Sequence, residues 1–256
     1  CCFVNYLRCH DDIGWGLNEE YGRTIGIDPV AHKKFLYEFF EGSFPGSYAR
    51  GERYNYNPAT LDARTCGTTA SLCGIEKGLA EGDEAQLALG IRRDLMMHAV
   101  ILCMGGFPML SSGDEIGQRN GYEYRDDPAL REDSRNLHRT AFNWDDAALR
   151  GKPGTVQRRI WDGLRQLEQL RSAQPCFGPD AWVTTWDTHS DHVLAIVRKT
   201  QEHLLVCLFN FSGQEQAVWL DAIEGEFTDL ISGNPCCCQH CAVGPYQYCL
   251  CQRTDH

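Results

Sequence analysis

The sequence predicts an α/β part joined to an all-β part: the C-terminal end, meaning the last two βα units, of a (β/α)8 TIM-type barrel, followed by an antiparallel β-sandwich domain. Three observations predict this. A short apolar strand, a polar loop and a helix occur in that order twice before about residue 172. Near Ala173 the apolar period changes from helical to two, the mark of half-buried strands. Two parallel-type strands alone can neither hide their edges nor close a sheet, so they fit the end of a closed barrel, whose whole length is about 250 residues. The expected domains are residues 1–172, the barrel portion, and 173–256, the sandwich.

The first strand is expected at Phe3 to Leu7 and leads into the polar run Cys9-His10-Asp11-Asp12. A helix follows from Asp28 to Glu41, because Phe35, Leu36, Phe39 and Phe40 share a face, Asp28-Pro29 makes a favourable start and Gly42 a stop. Residues 42–62, rich in Gly, Pro, Tyr and Asn, read as a long functional loop. Two helices are expected near Thr68 to Ala80 and Asp83 to Met104, the second carrying Leu87, Ile91, Leu95 and Leu102 at helical spacing. Gly105-Gly106 ends it. A second buried strand, Phe107 to Leu110, delivers the polar turn Ser111 to Glu115, and a polar loop runs on to about Asn143. The last helix, Val156 to Arg171, aligns Val156, Ile160, Leu164 and Leu167. Strands are then expected at Trp182 to Asp187, His192 to Lys199, His203 to Phe211, Gln216 to Leu220, Glu226 to Ile231 and Tyr246 to Cys251.

A net charge of −11 repels phosphate backbones and anionic membranes, so neither nucleic acid nor membrane is an expected partner. The longest apolar stretch, Met96 to Leu110, is interrupted by His98 and Gly105-Gly106 and is too short to span a bilayer. No signal peptide is evident. The expectation is a cytoplasmic protein, with secretion still open because the chain starts at Cys1 without Met.

Fourteen cysteines require an account. Cys66, Cys73, Cys103, Cys176 and Cys207 stand singly among apolar residues and read as buried thiols. Cys236, Cys237, Cys238 and Cys241 with His240 look more like metal ligands. Three consecutive Cys cannot all aim at one ion from an ordinary turn, so no metal is assigned. No cofactor is expected either. The doublet Cys1-Cys2 and the pair Cys249 and Cys251 read as tolerated small residues.

Asp11 and Asp12 at a strand end read either as active-site carboxylates or as caps of the following turn. His10 alone reads as a structural imidazole. The wider strings FVNYLRCHDDIGWGL, RYNYNPATLDARTCGT, GGFPMLSSGDEIG and EDSRNLHR resemble, in order and over nearly the entire chain, the amylosucrase group of the α-amylase superfamily, glycoside hydrolase family 13.

The resemblance implies an α-retaining glucosyl transferase or hydrolase acting on sucrose or α-glucans. Retaining enzymes of this kind use a nucleophilic carboxylate and a second acid/base carboxylate around an oxocarbenium-like transition state. In the family pattern both precede the point where this sequence starts, in an Arg-x-Asp string at a fourth strand and a Glu at a fifth. Asp11 matches the third carboxylate, which grips glucosyl hydroxyls beside the reacting carbon and stabilises the transition state. His10 matches a donor to neighbouring hydroxyls. Asp12 and Arg64 match positions where the leaving fructose or incoming acceptor binds. Arg135 matches a residue that pairs with an Asp early in the barrel and closes the blind end of the pocket.

Glu115 reads as structural. Trp182, Trp186 and Trp219 fit strand positions, and core packing is favoured over a sugar platform. Expected partners are the sugar substrate and the missing N-terminal barrel portion, and the chain alone is expected to be inactive. The alternative is a non-catalytic carbohydrate-binding or scaffold remnant of the same family.

Overall fold

A pair of two-residue strands opens and closes the first half of the chain in the computed structural model, which describes residues 3–221 and 223–254. The doublet Cys1-Cys2 lies outside the described residues. Strand β1 is Val4–Asn5. Helix α1, Glu19–Thr24, is capped by Asn18, whose side chain accepts from the Tyr21 N–H. In α2, Pro29–Glu41, Asp28 caps the start by accepting from Val30 and Ala31, and Gly42 ends it at φ 92°. Both ends therefore follow the local chemistry that predicts them.

Residues 42–62 are not one loop. They contain strand β2, Glu52–Asn57, which pairs antiparallel with β3, Asp62–Cys66. The runs ERYNYN and DARTC are mostly polar and stand among loop-favouring residues, so a pattern reading passes over the hairpin. The helix expected near Thr68 is divided into α3, Thr69–Leu72, and α4, Ile75–Glu81, because Gly74 at φ 92° breaks the helical path. Helix α5, Glu84–Cys103, and strand β4, Phe107–Pro108, follow. Helix α6, Trp144–Ala148, is unanticipated and is capped by Asn143. Helix α7 is Val156–Ala173.

Eight strands complete the chain: β5 Trp182–Trp186, β6 Val193–Lys199, β7 Leu204–Asn210, β8 Gln216–Trp219, β9 Phe227–Asp229, β10 Pro235–Cys236, β11 His240–Val243 and β12 Tyr248–Arg253. Strands β10 and β11 fall in the Cys-rich stretch, whose composition carries no strand signal. Among the described residues no helix is long and apolar enough to cross a membrane.

Contacts divide the chain into two units, one of residues 3–6, 92–109 and 160–254, the other of residues 7–91 and 110–159. This division differs from a cut at residue 172, because the last turns of α5 and nearly all of α7 pack on the β-sheet.

In the first unit a six-stranded sheet has the order β10-β9-β12-β7-β6-β5. Side chains alternate between its faces. Val193, Ala195, Val197, Val206 and Leu208 meet Val218, Leu220 and Val243 from the smaller β8–β11 ladder on one face. Ile196, Leu205, Cys207, Phe209 and Leu250 meet Met96, Ala99, Leu102 and Leu167 on the other. Covered on both faces, β7 has every residue buried and reads as a continuous apolar run. This arrangement is an antiparallel β-sheet domain with the small β8–β11 ladder on one face and helices on the other. Cys103, Cys176 and Cys207 are buried here, as are Cys66 and Cys73 in the second unit. Trp186 packs against the core, whereas Trp182 on the outermost strand and Trp219 are exposed. Trp182 and Trp186 belong to the same outermost strand, so strand spacing alone does not set their burial.

The first unit also holds the parallel pair. Val4 is in register with Phe107 and Asn5 with Pro108, and Phe107 and Met109 donate to the Phe3 and Asn5 carbonyls. Gly106 permits this approach. At φ 113° any added Cβ would lie 2.5 Å from the Phe3 carbonyl oxygen. Arg171 of α7 donates to the carbonyls of Leu102 and Gly106, so one side chain holds both ends of the turn before β4.

Candidate functional site

Every residue of the candidate site belongs to the second unit. The segment after β1 is placed by two features. Arg8, 5% exposed, donates through Nε to Asp114, 3% exposed, at 3.0 Å, with Nη2 at 2.8 Å. Ile13 and Thr65 exchange backbone hydrogen bonds of 2.8 and 3.0 Å, which adds a short third strand to the β2–β3 hairpin. Trp15 then donates from Nε1 to the Thr65 hydroxyl at 3.2 Å and stacks on Phe40 with ring centroids 5.2 Å apart.

That register brings Asp12 and Arg64 together. Side chains alternate along extended backbone, so both project to the face opposite Ile13 and Thr65, at the diagonal spacing a long side chain can bridge. Arg64 Nη1 donates to Asp12 Oδ2 at 2.9 Å, the carboxylate being only 5% exposed. The Asp12 carboxylate holds the Arg64 guanidinium above its ordinary pKa.

Asp11, half exposed, faces a different set of groups. Its Oδ1 accepts from Arg139 Nη2 at 3.2 Å and lies 3.7 Å from Arg135 Nη1, while Oδ2 is 3.4 Å from His10 Nε2. Arg139 also donates from Nε to the His10 carbonyl at 2.6 Å, fixing backbone and side chain of the same turn. Arg135 forms a two-pronged bond with Asp133, each arm 2.8 Å, and lies over the Tyr54 ring. Hydrogen bonds from the Arg135 side chain and backbone hold the Asp133 carboxyl below the usual range, and Asp133 raises the Arg135 guanidinium in turn. Asp133 takes the fork of Arg135 here.

Beneath these charges is His138. Its Nδ1 accepts from the Gly67 N–H at 3.1 Å. Burial first, then the positive charge of Arg8, push its pKa down to about 4, with the His10 backbone partly opposing. It is a neutral imidazole that supports the turn. Burial likewise lifts the Cys66 thiol to about 12, with Asp12 adding to the effect.

All five sequence-predicted positions, His10, Asp11, Asp12, Arg64 and Arg135, therefore meet in one cluster. Arg139, Asp133 and His138 were not singled out from sequence, although the string EDSRNLHR contains all three. Glu115 accepts from the Gly113 N–H at 2.7 Å, which orders its own loop. Cys9, His10 and Asp11 each bring one ligand atom within 4.8 Å of the others. His10 and Asp11 are exposed and Asp11 is bound to Arg139, so this trio is a weak metal site. The cluster presents carboxylate acceptors and guanidinium donors side by side, the set that recognises adjacent hydroxyls.

No family model matches the chain. Among solved structures, a variant of AmyP in complex with maltotriose is similar over 72% of this chain, with a TM-score of 0.56 and 18% identity. AmyP in complex with maltose is similar over 64%, with a TM-score of 0.53 and 18% identity. Amy13B of Eubacterium rectale is similar over 75%, with a TM-score of 0.51 and 17% identity. The chain spans 38%, 35% and 38% of those three chains respectively. At these identities the likeness is one of fold, that of a partial barrel with an antiparallel β-sheet domain.

Proposed function

We propose that the chain is the C-terminal portion of an amylosucrase-like member of the α-amylase superfamily, within an enzyme that transfers a glucosyl unit from sucrose to an α-glucan or to water with retention. The observation that carries the reading is the position of Asp11, half exposed on a turn fixed by Arg139 and flanked by Arg135 and His10. A carboxylate so held accepts hydrogen bonds from two neighbouring sugar hydroxyls. Those bonds strengthen as positive charge develops at the reacting carbon, so they lower the barrier more than they tighten ground-state binding.

Asp12 and Arg64 lie one residue and one strand away and form the fructosyl or acceptor side. Arg64 offers its remaining donors outward while Asp12 holds its guanidinium. Arg135 and Asp133 close the glucosyl end. The nucleophile and the acid/base are supplied by residues outside this sequence, and the sucrose or α-glucan substrate is bound jointly with that missing barrel portion.

Sucrose kinetics of the complete enzyme test the reading, comparing wild type with Asp11→Asn. A collapse in turnover with little change in sucrose binding supports it. Unchanged turnover overturns it.

A further inference from the structure

The Cys-rich end of the sandwich domain is a separate feature that the sugar site does not use. Strands β10 and β12 flank β9, with Cys236 in register with Phe227 and Cys251 with Asp229. Beyond the end of β10 at Cys236 the backbone bends at Cys238, and the three consecutive thiols differ in exposure. Cys238 is buried, Cys236 is partly buried and Cys237 is exposed. The three consecutive cysteines thus resolve into a Cys-x-Cys pair at least partly buried and one exposed residue.

The Sγ atoms of Cys236, Cys238 and Cys251 all lie within 4.8 Å of one another. A second Cys-x-Cys pair, Cys249 and Cys251, comes from β12. Cys249 and Cys241 both border the same core layer as the other three. We propose that Cys236, Cys238 and Cys251 bind one thiophilic metal ion of the zinc(II) class, with Cys241 or Cys249 completing four sulfur ligands.

The geometry suits that ion. Zinc–sulfur bonds of about 2.3 Å in a tetrahedron separate the sulfurs by about 3.8 Å, so the three thiols need only a modest inward movement. Soft sulfur donors select zinc or cuprous copper over magnesium, calcium and manganese. Cys238 and Cys251 are buried in the apolar cluster of Val206, Leu208, Phe227 and Val243, a neighbourhood suited to a structural site rather than one with an open catalytic position. Ligation displaces the thiol protons to solvent. Bound metal would join β10 to β12 across β9.

The test uses the full chain purified under reducing conditions and dialysed against zinc, with cobalt(II) as the spectroscopic probe. One tightly held zinc per chain, a sulfur-to-cobalt charge-transfer band and a rise in Tm on metal addition are expected. Cys238→Ser and Cys251→Ala should lower zinc affinity at least tenfold, while Cys237→Ser leaves it unchanged. Should a variant fail to fold, thiol protection in the wild type decides: zinc should shield at least three cysteines from alkylation, Cys238 and Cys251 among them. No retained metal, equal losses in the Cys237 variant, or a mass two hydrogens lower showing a disulfide among these thiols would each overturn the proposal.

Discussion

Arg64 Nη1 and Asp12 Oδ2 are 2.9 Å apart, with the carboxylate almost wholly enclosed and the guanidinium open to solvent. The pair is held by the Ile13–Thr65 bridge rather than by either residue's own loop. Arg64→Ala in the complete enzyme should therefore leave the glucosyl end intact and change the ratio of transfer to hydrolysis, with a smaller effect on hydrolysis itself. Product ratios with and without a glucan acceptor check this. Loss of hydrolysis equal to loss of transfer would place Arg64 on the wrong side of the scissile bond.

Asp11→Asn keeps size but removes the charge and one acceptor. The expected loss is about 10² to 10³ in kcat, the usual cost of one electrostatic contact made mainly in the transition state. The KM for sucrose should move little. The chain alone should show no measurable sucrose cleavage, and turnover in the ordinary enzyme range would reveal a nucleophile among residues 1–256.

Arg8 and Asp114 form a buried ion pair that ties the segment before His10 to the loop after β4. Arg8→Ala leaves Asp114 without that cation and should cost about 3 to 5 kcal/mol. The double change Arg8→Met with Asp114→Leu should recover most of it, as buried pairs are often replaceable by apolar residues. Urea unfolding of both variants and the wild type provides the measurement.

His138 gives a pH dependence whose sign is fixed. Its folded pKa, about 4, lies below the unfolded value near 6.5, so between those values the unfolded chain binds more protons. Its contribution to stability is complete above about pH 6.5 and falls as pH drops toward 4, by about 3 kcal/mol over the window. His138→Gln should flatten that portion of the stability profile. An unchanged slope would show that another group titrates there.

How much of this was readable beforehand depends on the range of the interactions. Helix α2 was legible because Asp28, Pro29 and Gly42 act within a few residues of its ends. The central strands β6 and β7 were legible through their apolar period. The β2–β3 hairpin was not, since its side chains are mostly polar and the bridge added at Ile13 comes from a distant part of the chain. Strand β11 was hidden by Cys-rich composition, and strand spacing does not separate exposed Trp182 from Trp186, which packs against the core from the same strand. At the site, motif strings indicated Asp11, Asp12, Arg64 and Arg135. Arg139 and Asp133 were not singled out: Asp133 meets Arg135 locally, whereas Arg139 reaches Asp11 from 128 residues away.

Pro108 has a consequence for how the parallel pair can grow. The amides of Phe107 and Met109 are already spent on β1, so the residue between them would donate to any strand arriving on the opposite side of β4. Proline has no amide hydrogen. An incoming strand therefore meets an acceptor at Pro108 but no donor, and must fit a register that asks nothing of that position. The two sides of β4 are thus unequal templates, one hydrogen-bonding in both directions and the other in only one, which gives the sheet a built-in polarity against indiscriminate self-association.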